Sequence, residues 1–318
     1  MIRSFVTGGA FALALSSAAS AQGIEGYPSR AIRLVVGFTA GGPTDVPARM
    51  IAEKLRNSLG QSVVVENKPG AGGKIAVDHV LSQPRDGYTL LLCTYIDAFN
   101  TVLLKNSSYK VEDLAPISQI TKAYYAFAVP ASSSANTVAE FIAQAKARPG
   151  ALNYGHVGAG SMPELIAKRF EKSAEIKLTG VPYKGTAEAA QDLVAGRLDF
   201  LVGPLIVVMP LREGKSVKYI GVTSPERMTA FPDVPTIIEQ GHRIVDNGWL
   251  GVCAGSGTPQ NVIEIVNKHV VEAVASPEYR NLTERTGVIP ASSTPAEFGK
   301  LIADTASDMA RLAKELGL

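Results

Sequence analysis

The chain has 318 residues, of which 46% are hydrophobic, and a formal net charge of +2. A chain of this length can bury a large core and is expected to divide into two domains. The near-neutral charge and the lack of any long Lys/Arg run argue against nucleic acid as a partner, because binding a series of phosphates needs a series of basic side chains.

The first predicted element is an export leader at residues 1–21. Arg3 precedes an apolar segment at 5–15, and Ala19-Ser20-Ala21 fits the small-residue pattern at which leaders are cleaved. Cleavage after Ala21 would place the mature chain in the periplasm. The alternative is a buried N-terminal helix, but the segment lacks both heptad spacing and a cap. No later window reaches about 18 apolar residues, so no membrane span is expected in the mature chain.

The next third of the chain alternates strands with helices. The predicted elements are strands at 32–36, 62–66 and 88–93, and helices at 47–59 and from the loop at 67–73 to residue 81. This alternation favours an α/β architecture with largely parallel sheets. Ligands of such sheets bind beyond the carboxyl ends of the strands, so the loops at Phe38, Asn67 and Thr94 are expected to line one wall.

The middle third repeats the plan, and the last third is expected to return to the first lobe. The predicted elements are strands at 125–129, 152–154, 178–182, 199–202, 217–223 and 249–253, and helices at 137–148, 163–173, 186–195, 259–275 and 295–316. Without a low-complexity linker, two chain crossings are expected, with hinge strands near 116–121 and 243–248. This assigns 22–122 and 246–318 to lobe 1 and 123–245 to lobe 2.

Two glycine-rich turns, at 37–45 and 155–161, each connect a strand to a helix. Backbone N–H groups in such turns have no helical partner and favour an anion, so the pair suggests two lobes facing one ligand. Neither turn matches the Walker A or dinucleotide fingerprint, and the chain has no Gly-x-Ser-x-Gly elbow. Phosphate and acyl-hydrolase chemistry are therefore disfavoured.

The only two cysteines are Cys93 and Cys253, each in an apolar stretch. In an oxidising compartment they could pair, but two buried free thiols are at least as compatible with the sequence. Neither cysteine has neighbours with metal-ligand spacing, and the four histidines show none either, so no metal is expected.

Six motifs in one order make the mature chain resemble the substrate-binding proteins of tripartite tricarboxylate transporters, also called Bug receptors. The motifs are FTAGGPTD at 38–45, VENKPGAGG at 65–73, DGYTLL at 86–91, GAGS at 158–161, VPYKG at 181–185 and PDVPT at 232–236. The resemblance implies a two-lobe periplasmic-binding-protein type II fold that closes over a small organic carboxylate. It implies delivery to membrane transporter subunits, no enzymatic activity and no cofactor; a monomer is expected.

The resemblance also implies which residues contact the ligand. In the first lobe they are Phe38, Thr39, Ala40, Gly41, Gly42 and Asp45, and in the second lobe Gly158, Gly160, Ser161, Tyr183, Lys184 and Gly185. Main-chain amides and bridging waters are expected to hold the carboxylate, since small residues let a ligand approach the backbone. Tyr95 follows a strand end and either stacks on the ligand or belongs to the core.

Several alternatives stay open. Asp45 is expected to cap a helix or brace its loop more than to touch an anion, and Lys184 either pairs with the carboxylate or is solvated. Glu164 replaces a histidine of the family pattern; we expect it to face solvent, because an inward carboxylate would repel the ligand. The apolar segment 205–209 either lines a pocket for an aromatic or long aliphatic acid or is core. The sequence does not identify the acid, and an orphan sensor that presents its closed form to a signalling partner is an alternative to transport.

Overall fold

The computed structural model describes residues 26–104, 107–158, 160–245, 247–285 and 287–316. The predicted leader at 1–21 lies outside these residues. Among the described segments, none of the helices combines the length and apolar character needed to cross a membrane.

The first lobe is built on a sheet in which a parallel trio is extended by antiparallel strands. Its strands are β1 (Ile32–Val36), β2 (Val63–Asn67), β3 (Thr89–Thr94), the first part of β4 (Leu114–Pro130), β9 (Asn247–Gly255) and β10 (Val288–Pro290). The order is β2-β1-β3-β9-β4, with β10 also on β4. Its helices are α1 (Asp45–Leu59), α2 (Lys74–Leu81), α3 (Tyr95–Leu103), α8 (Gln260–Ala275), α9 (Pro277–Arg285) and α10 (Pro295–Leu316).

The second lobe repeats this arrangement around the far end of β4. Its other strands are β5 (Asn153–His156), β6 (Thr179–Pro182), β7 (Phe200–Pro204) and β8 (Val217–Val222), in the order β4-β7-β5-β6 with β8 on the other edge of β4. Its helices are α4 (Val138–Ala147), α5 (Met162–Ala174), α6 (Thr186–Val194) and α7 (Leu205–Glu213). Strand β5 runs parallel to β6 and β7.

The expectation of largely parallel sheets holds for β2-β1-β3 and β6-β5-β7 but not where the lobes join. Strand β4 pairs antiparallel with β9 over residues 114–124 and with β7 over 125–128. The chain enters the second lobe along β4 and returns along β9, so the two strands must run in opposite directions. One 17-residue strand therefore passes through both halves of the sheet.

Each lobe has its own apolar core, and two helices connect them. The second-lobe core contains four phenylalanines, Phe127, Phe141, Phe170 and Phe200, whose rings pack edge-to-face, tilted or stacked. Phe99 of α3 and Met309 of α10 belong to the same cluster. Because α3 follows a strand of the first lobe, its burial against this cluster connects the two lobes.

The structure chooses between the two alternatives for the cysteines, because Cys93 and Cys253 form a disulfide with a Cα–Cα distance of 5.9 Å. Cys93 lies opposite Gly251 in the β3–β9 pair, and Cys253 follows two residues later on the same face. Both residues are fully buried. The bridge joins β3 to β9, which lie far apart in the sequence.

Candidate functional site

The loop after β1 approaches a second glycine-rich loop closely enough to require glycine. A Cβ on Gly37 would lie 2.8 Å from the Cα of Gly73, closer than real side chains come. Gly41 has a φ of +77°, a left-handed conformation that side chains other than glycine adopt with strain. These glycines turn the chain at the carboxyl end of β1, where a ligand of an α/β sheet is expected.

Asp45 braces this loop from beneath. Its buried carboxylate accepts hydrogen bonds from the Gly41 N–H at 2.8 Å, from Arg49 Nε at 2.7 Å and from Asn67 Nδ2 at 2.8 Å. The Asn67 amide also donates to the Phe38 carbonyl at 3.0 Å. Burial raises the pKa of Asp45, but these donors outweigh it and hold the pKa below its usual value. Asp45 and Asn67 therefore shape the loop.

The N–H groups of Thr39 and Ala40 take no part in this brace. Both residues are exposed, and within the described part of the chain neither N–H has a hydrogen-bond partner. The neighbouring Gly42 N–H is already bonded to the Thr39 carbonyl at 3.3 Å. Two adjacent unpaired donors on a braced turn are suited to an anion.

A cavity of about 580 Å³ lies between the lobes, directly against this loop. Its first-lobe wall comes from the loop and the starts of α1 and α3: Phe38, Thr39, Gly41, Gly42, Pro43, Thr44, Val46, Pro47, Thr94, Tyr95 and Ile96. Its floor and second-lobe wall are Thr121, Ala123, Tyr125, Thr186, Pro204, Ile206, Val207, Gly248, Trp249, Leu250 and Val288. None of the described residues that line it is charged, and apart from the indole of Trp249 its polar side chains are threonine and tyrosine hydroxyls.

Two second-lobe helices begin at this cavity without a side-chain cap. Thr186 is the first residue of α6, and Pro204 immediately precedes α7. The first N–H groups of a helix have no intrahelical partner and carry the positive end of the helix dipole. An anion in the cavity is thus favoured from both lobes without a lysine or arginine side chain in the lining.

The start of α3 differs from those of α6 and α7, because the carboxyl group of its own Asp97 caps it. The Asp97 carboxylate accepts hydrogen bonds from the Thr94 N–H at 2.7 Å and the Thr94 hydroxyl at 3.1 Å. Burial raises the pKa of Asp97 to about 7, although the bonds from Thr94 act to lower it. Asp97 does not line the cavity. Sequence reasoning missed α3; Thr94 and Asp97 have the capping-box spacing that could have revealed it.

The structure does not bring Gly158, Gly160 or Ser161 to the cavity lining. Two N–H groups of this loop are used locally: Gly158 donates to His156 Nδ1 at 3.3 Å and Ser161 to the Gly158 carbonyl at 3.2 Å. The position of a Cβ on Gly160 would be 3.0 Å from Leu103, so the loop packs near the end of α3.

The expectation that Glu164 faces solvent is wrong. Its side chain is buried, and Oε2 accepts the Gly160 N–H at 2.7 Å. Glu164 lies in the first turn of α5, where the positive end of the helix dipole favours a carboxylate. The Glu164 carboxylate thus already accepts the Gly160 N–H, which the sequence assigned to a ligand.

The turn at Tyr183, Lys184 and Gly185 lies beside the cavity, and the residue after it, Thr186, lines the wall. The Tyr183 hydroxyl donates to Asp192 at 2.7 Å, so it is committed to its own lobe. Lys184 is exposed and, among the described residues, has neither an ion-pair partner nor a hydrogen bond of its side chain.

Tyr95 combines the two roles that the sequence left open. It lines the cavity, and its ring also packs edge-to-face on Phe99 with centroids 5.4 Å apart. The segment 205–209 likewise divides: Leu205, Val208 and Met209 are buried in the second-lobe core, while Ile206 and Val207 line the cavity. Sequence reasoning missed the floor residue Trp249 as a lining residue, since its strand pattern predicts only burial.

The comparisons with known proteins agree with this geometry. Residues 47–318 match the family model described as the tripartite tricarboxylate transporter family receptor, TctC. The chain belongs to this receptor family. BugT of Bordetella pertussis is 33% identical over 309 residues, covering 96% of this chain and 95% of BugT.

Two solved structures show the same fold. A TctC solute-binding protein from Polaromonas has a TM-score of 0.81 and 29% identity, covering 91% of this chain and 99% of that one. An R. palustris protein solved with adipate has a TM-score of 0.79 and 30% identity, covering 92% and 98%. The two-lobe periplasmic-binding-protein type II fold is confirmed. The family match and the similar structures also confirm the expectation of a substrate-binding protein rather than an enzyme.

As a member of the TctC family, the protein belongs with periplasmic binding proteins. Across the part of the chain that the structure describes, no group of three or more His, Cys, Asp or Glu residues could hold a metal ion. The site therefore consists of backbone donors, hydroxyls and apolar side chains around one cavity.

Proposed function

We propose that the protein captures a small organic carboxylate in the cavity between its lobes and delivers it to the membrane subunits of a tripartite tricarboxylate-type transporter. The observation that carries this proposal is that, among the described residues, the N–H groups of Thr39 and Ala40 are unpaired and lie beside a cavity with an uncharged lining. A carboxylate there would gain charge-assisted hydrogen bonds, which are stronger than neutral ones. Family membership and the R. palustris neighbour with adipate support the same ligand chemistry.

The contacts from the second lobe come, in this proposal, from the start of α6. Thr186 lines the cavity, and the turn from Tyr183 to Gly185 leads into that helix with Lys184 exposed beside it. The lobes 22–122 with 246–318 and 123–245 would close over the ligand by bending at β4 and β9. Closure is the state that the transporter senses, since a ligand shifts the population only through better contacts in that state.

The proposal includes export. The leader at 1–21 would be removed after Ala21, and the mature chain would act as a monomer in the periplasm. A disulfide between Cys93 and Cys253 is consistent with an oxidising compartment.

Thermal unfolding of the mature chain with a panel of mono-, di- and tricarboxylates, amino acids and aromatic acids tests the ligand class. At about a hundredfold excess over Kd, binding adds about 2.7 kcal/mol and raises Tm by several degrees. No shift with any carboxylate of the panel would refute the proposal.

Gly41→Asp tests the site itself. Open space surrounds a Cβ at this position, so the new carboxylate fits but repels an anion at the neighbouring N–H groups. The matched control is Gly41→Asn, which has the same shape and the same left-handed backbone but no charge. We expect Gly41→Asp to lose binding and Gly41→Asn to keep most of it. Equal loss in both variants would show that the added charge does not act on a bound anion at this loop.

A further inference from the structure

We propose that the ligand is a monocarboxylate with a hydrocarbon body, aliphatic or aromatic, and not a dicarboxylate or an amino acid. This inference rests on the proposed function, in which a carboxylate binds at Thr39 and Ala40. It is carried by the chemistry of the remaining cavity wall and by the hydrogen bonds that the N–H groups of Gly158, Gly160 and Ser161 already make within the second lobe.

The wall offered by the second lobe and the floor is mainly apolar. Pro204, Ile206 and Val207 line it at the start of α7, and Trp249, Leu250 and Val288 complete it. We call these six residues the apolar wall. A hydrocarbon body buried against it gains about fourfold in affinity for each added methylene, until the cavity is full. The volume of about 580 Å³ is within the usual range for small-molecule pockets.

The described lining also lacks a charged side chain that could pair with a second ionised group. An ammonium group needs a carboxylate, and none of the described lining residues is acidic. A second carboxylate needs a cation or several N–H donors. A charged group placed against the apolar wall without them would be desolvated and unpaired, which is strongly unfavourable.

The loop at 158–161 would be the natural donor for a second carboxylate, but the N–H groups of Gly158, Gly160 and Ser161 are used within the second lobe. The Glu164 carboxylate accepts the Gly160 N–H, and His156 accepts the Gly158 N–H. The buried negative charge of Glu164 also opposes any second anion that approaches this loop. Two places are left where a dicarboxylate could find a partner: the uncapped start of α7 and the exposed Lys184.

Two matched ligand sets test the inference by calorimetry on the mature chain. The aliphatic set is hexanoate, adipate and the ω-amino acid of the same length; the aromatic set is para-toluate, terephthalate and para-aminomethylbenzoate. Within each set only the far end changes, from methyl to carboxylate to ammonium. We expect the methyl-ended acid of at least one set to bind at least about tenfold more tightly than its two partners. Tighter binding of adipate or terephthalate would overturn the inference while leaving the proposed carboxylate receptor intact.

A charge placed on the apolar wall should reverse the preference. Val207→Lys is expected to tighten adipate or terephthalate at least about tenfold relative to the methyl-ended acid, whereas the uncharged control Val207→Met keeps the original order. Lys184→Met tests whether Lys184 binds a second carboxylate. A preference of the wild type for a dicarboxylate that disappears in this variant would assign that preference to Lys184 and overturn the inference. Absence of binding by every acid in both sets and in the wider panel would count against the proposed function. Because the wild-type comparison needs no variant, a folding defect in Val207→Lys leaves the test decisive.

Discussion

The Glu164 carboxylate accepts the backbone N–H of Gly160, four residues before it, at 2.7 Å. The first lobe contains the same relationship, in which Asp45 accepts the N–H of Gly41 at 2.8 Å. In both lobes an acid in the first turn of a helix holds the glycine loop that precedes it. The lobes differ in charge balance, because Arg49 pairs with Asp45 while no described basic side chain pairs with Glu164.

Two replacements of Glu164 should distinguish the contribution of its hydrogen bond to stability from the contribution of its charge. Glu164→Ala leaves the Gly160 N–H without its acceptor and is expected to lower the free energy of unfolding by about 1–3 kcal/mol. Glu164→Gln keeps an acceptor of the same length and should cost less. Denaturant unfolding of the two variants measures the difference. Equal losses would show that the charge, and not the hydrogen bond, stabilises the loop.

Asp97 should make stability depend on pH in the direction opposite to most acids. Burial raises its pKa in the folded protein to about 7, above the value of an unfolded aspartate, so the folded state holds a proton that the unfolded state has lost. The free energy of unfolding should therefore fall as pH rises from about 4 to about 7, by up to about 1.4 kcal/mol per pH unit, and then level off.

Asp97→Asn provides the measurement. The amide can still accept the hydrogen bond from the Thr94 N–H, but it does not titrate in this range. Its advantage in unfolding free energy over the wild type should grow between pH 4 and 7. Curves that stay parallel across this range would contradict the assignment of the slope to Asp97.

Much of the fold was predictable because hydrophobic periodicity and glycine turns are local signals. The strand at 32–36 was predicted with the bounds of β1, and the helix at 295–316 with those of α10. The sequence predicted a hinge strand near 116–121 and a strand at 125–129, but not that they form one continuous strand at 114–130. Pairing of the first part of β4 with β9 depends on a strand more than 120 residues away in the sequence, which no local pattern reveals.

The site shows the same division between local and distant information. The sequence indicates that the loop at 38–42 is rich in backbone donors, and the structure places that loop at the cavity. The sequence also predicted that the loop at 158–161 donates backbone N–H groups to the ligand, because the two glycine-rich motifs look alike. Which N–H groups stay unpaired depends on where Glu164 and His156 lie, and those side-chain positions follow from packing.

The disulfide should contribute substantially to stability. Cys93 and Cys253 are separated by 160 positions, and closing so long a loop in the unfolded chain is worth about 5 kcal/mol in the chain-entropy model. The double variant Cys93→Ala, Cys253→Ala should lose about that much free energy of unfolding and unfold at a lower denaturant concentration. Because both cysteines are buried, a reductant added to the folded wild type should act slowly. Rapid reduction without unfolding would contradict this location of the bridge.

Trp249 should report ligand binding directly, because it is the one tryptophan of the chain and it lines the cavity. Its indole N–H donates to the Thr305 hydroxyl at 3.0 Å, and its ring packs edge-to-face on Phe298. A ligand that displaces water beside the ring should change the emission, and the resulting titration should give the calorimetric Kd. Thr305→Val removes the acceptor and should destabilise the fold by about 1–3 kcal/mol and shift the emission of the free protein, whereas Thr305→Ser retains the hydroxyl and should do neither. Calorimetric binding with no change in Trp249 emission would mean that the ligand binds outside this cavity.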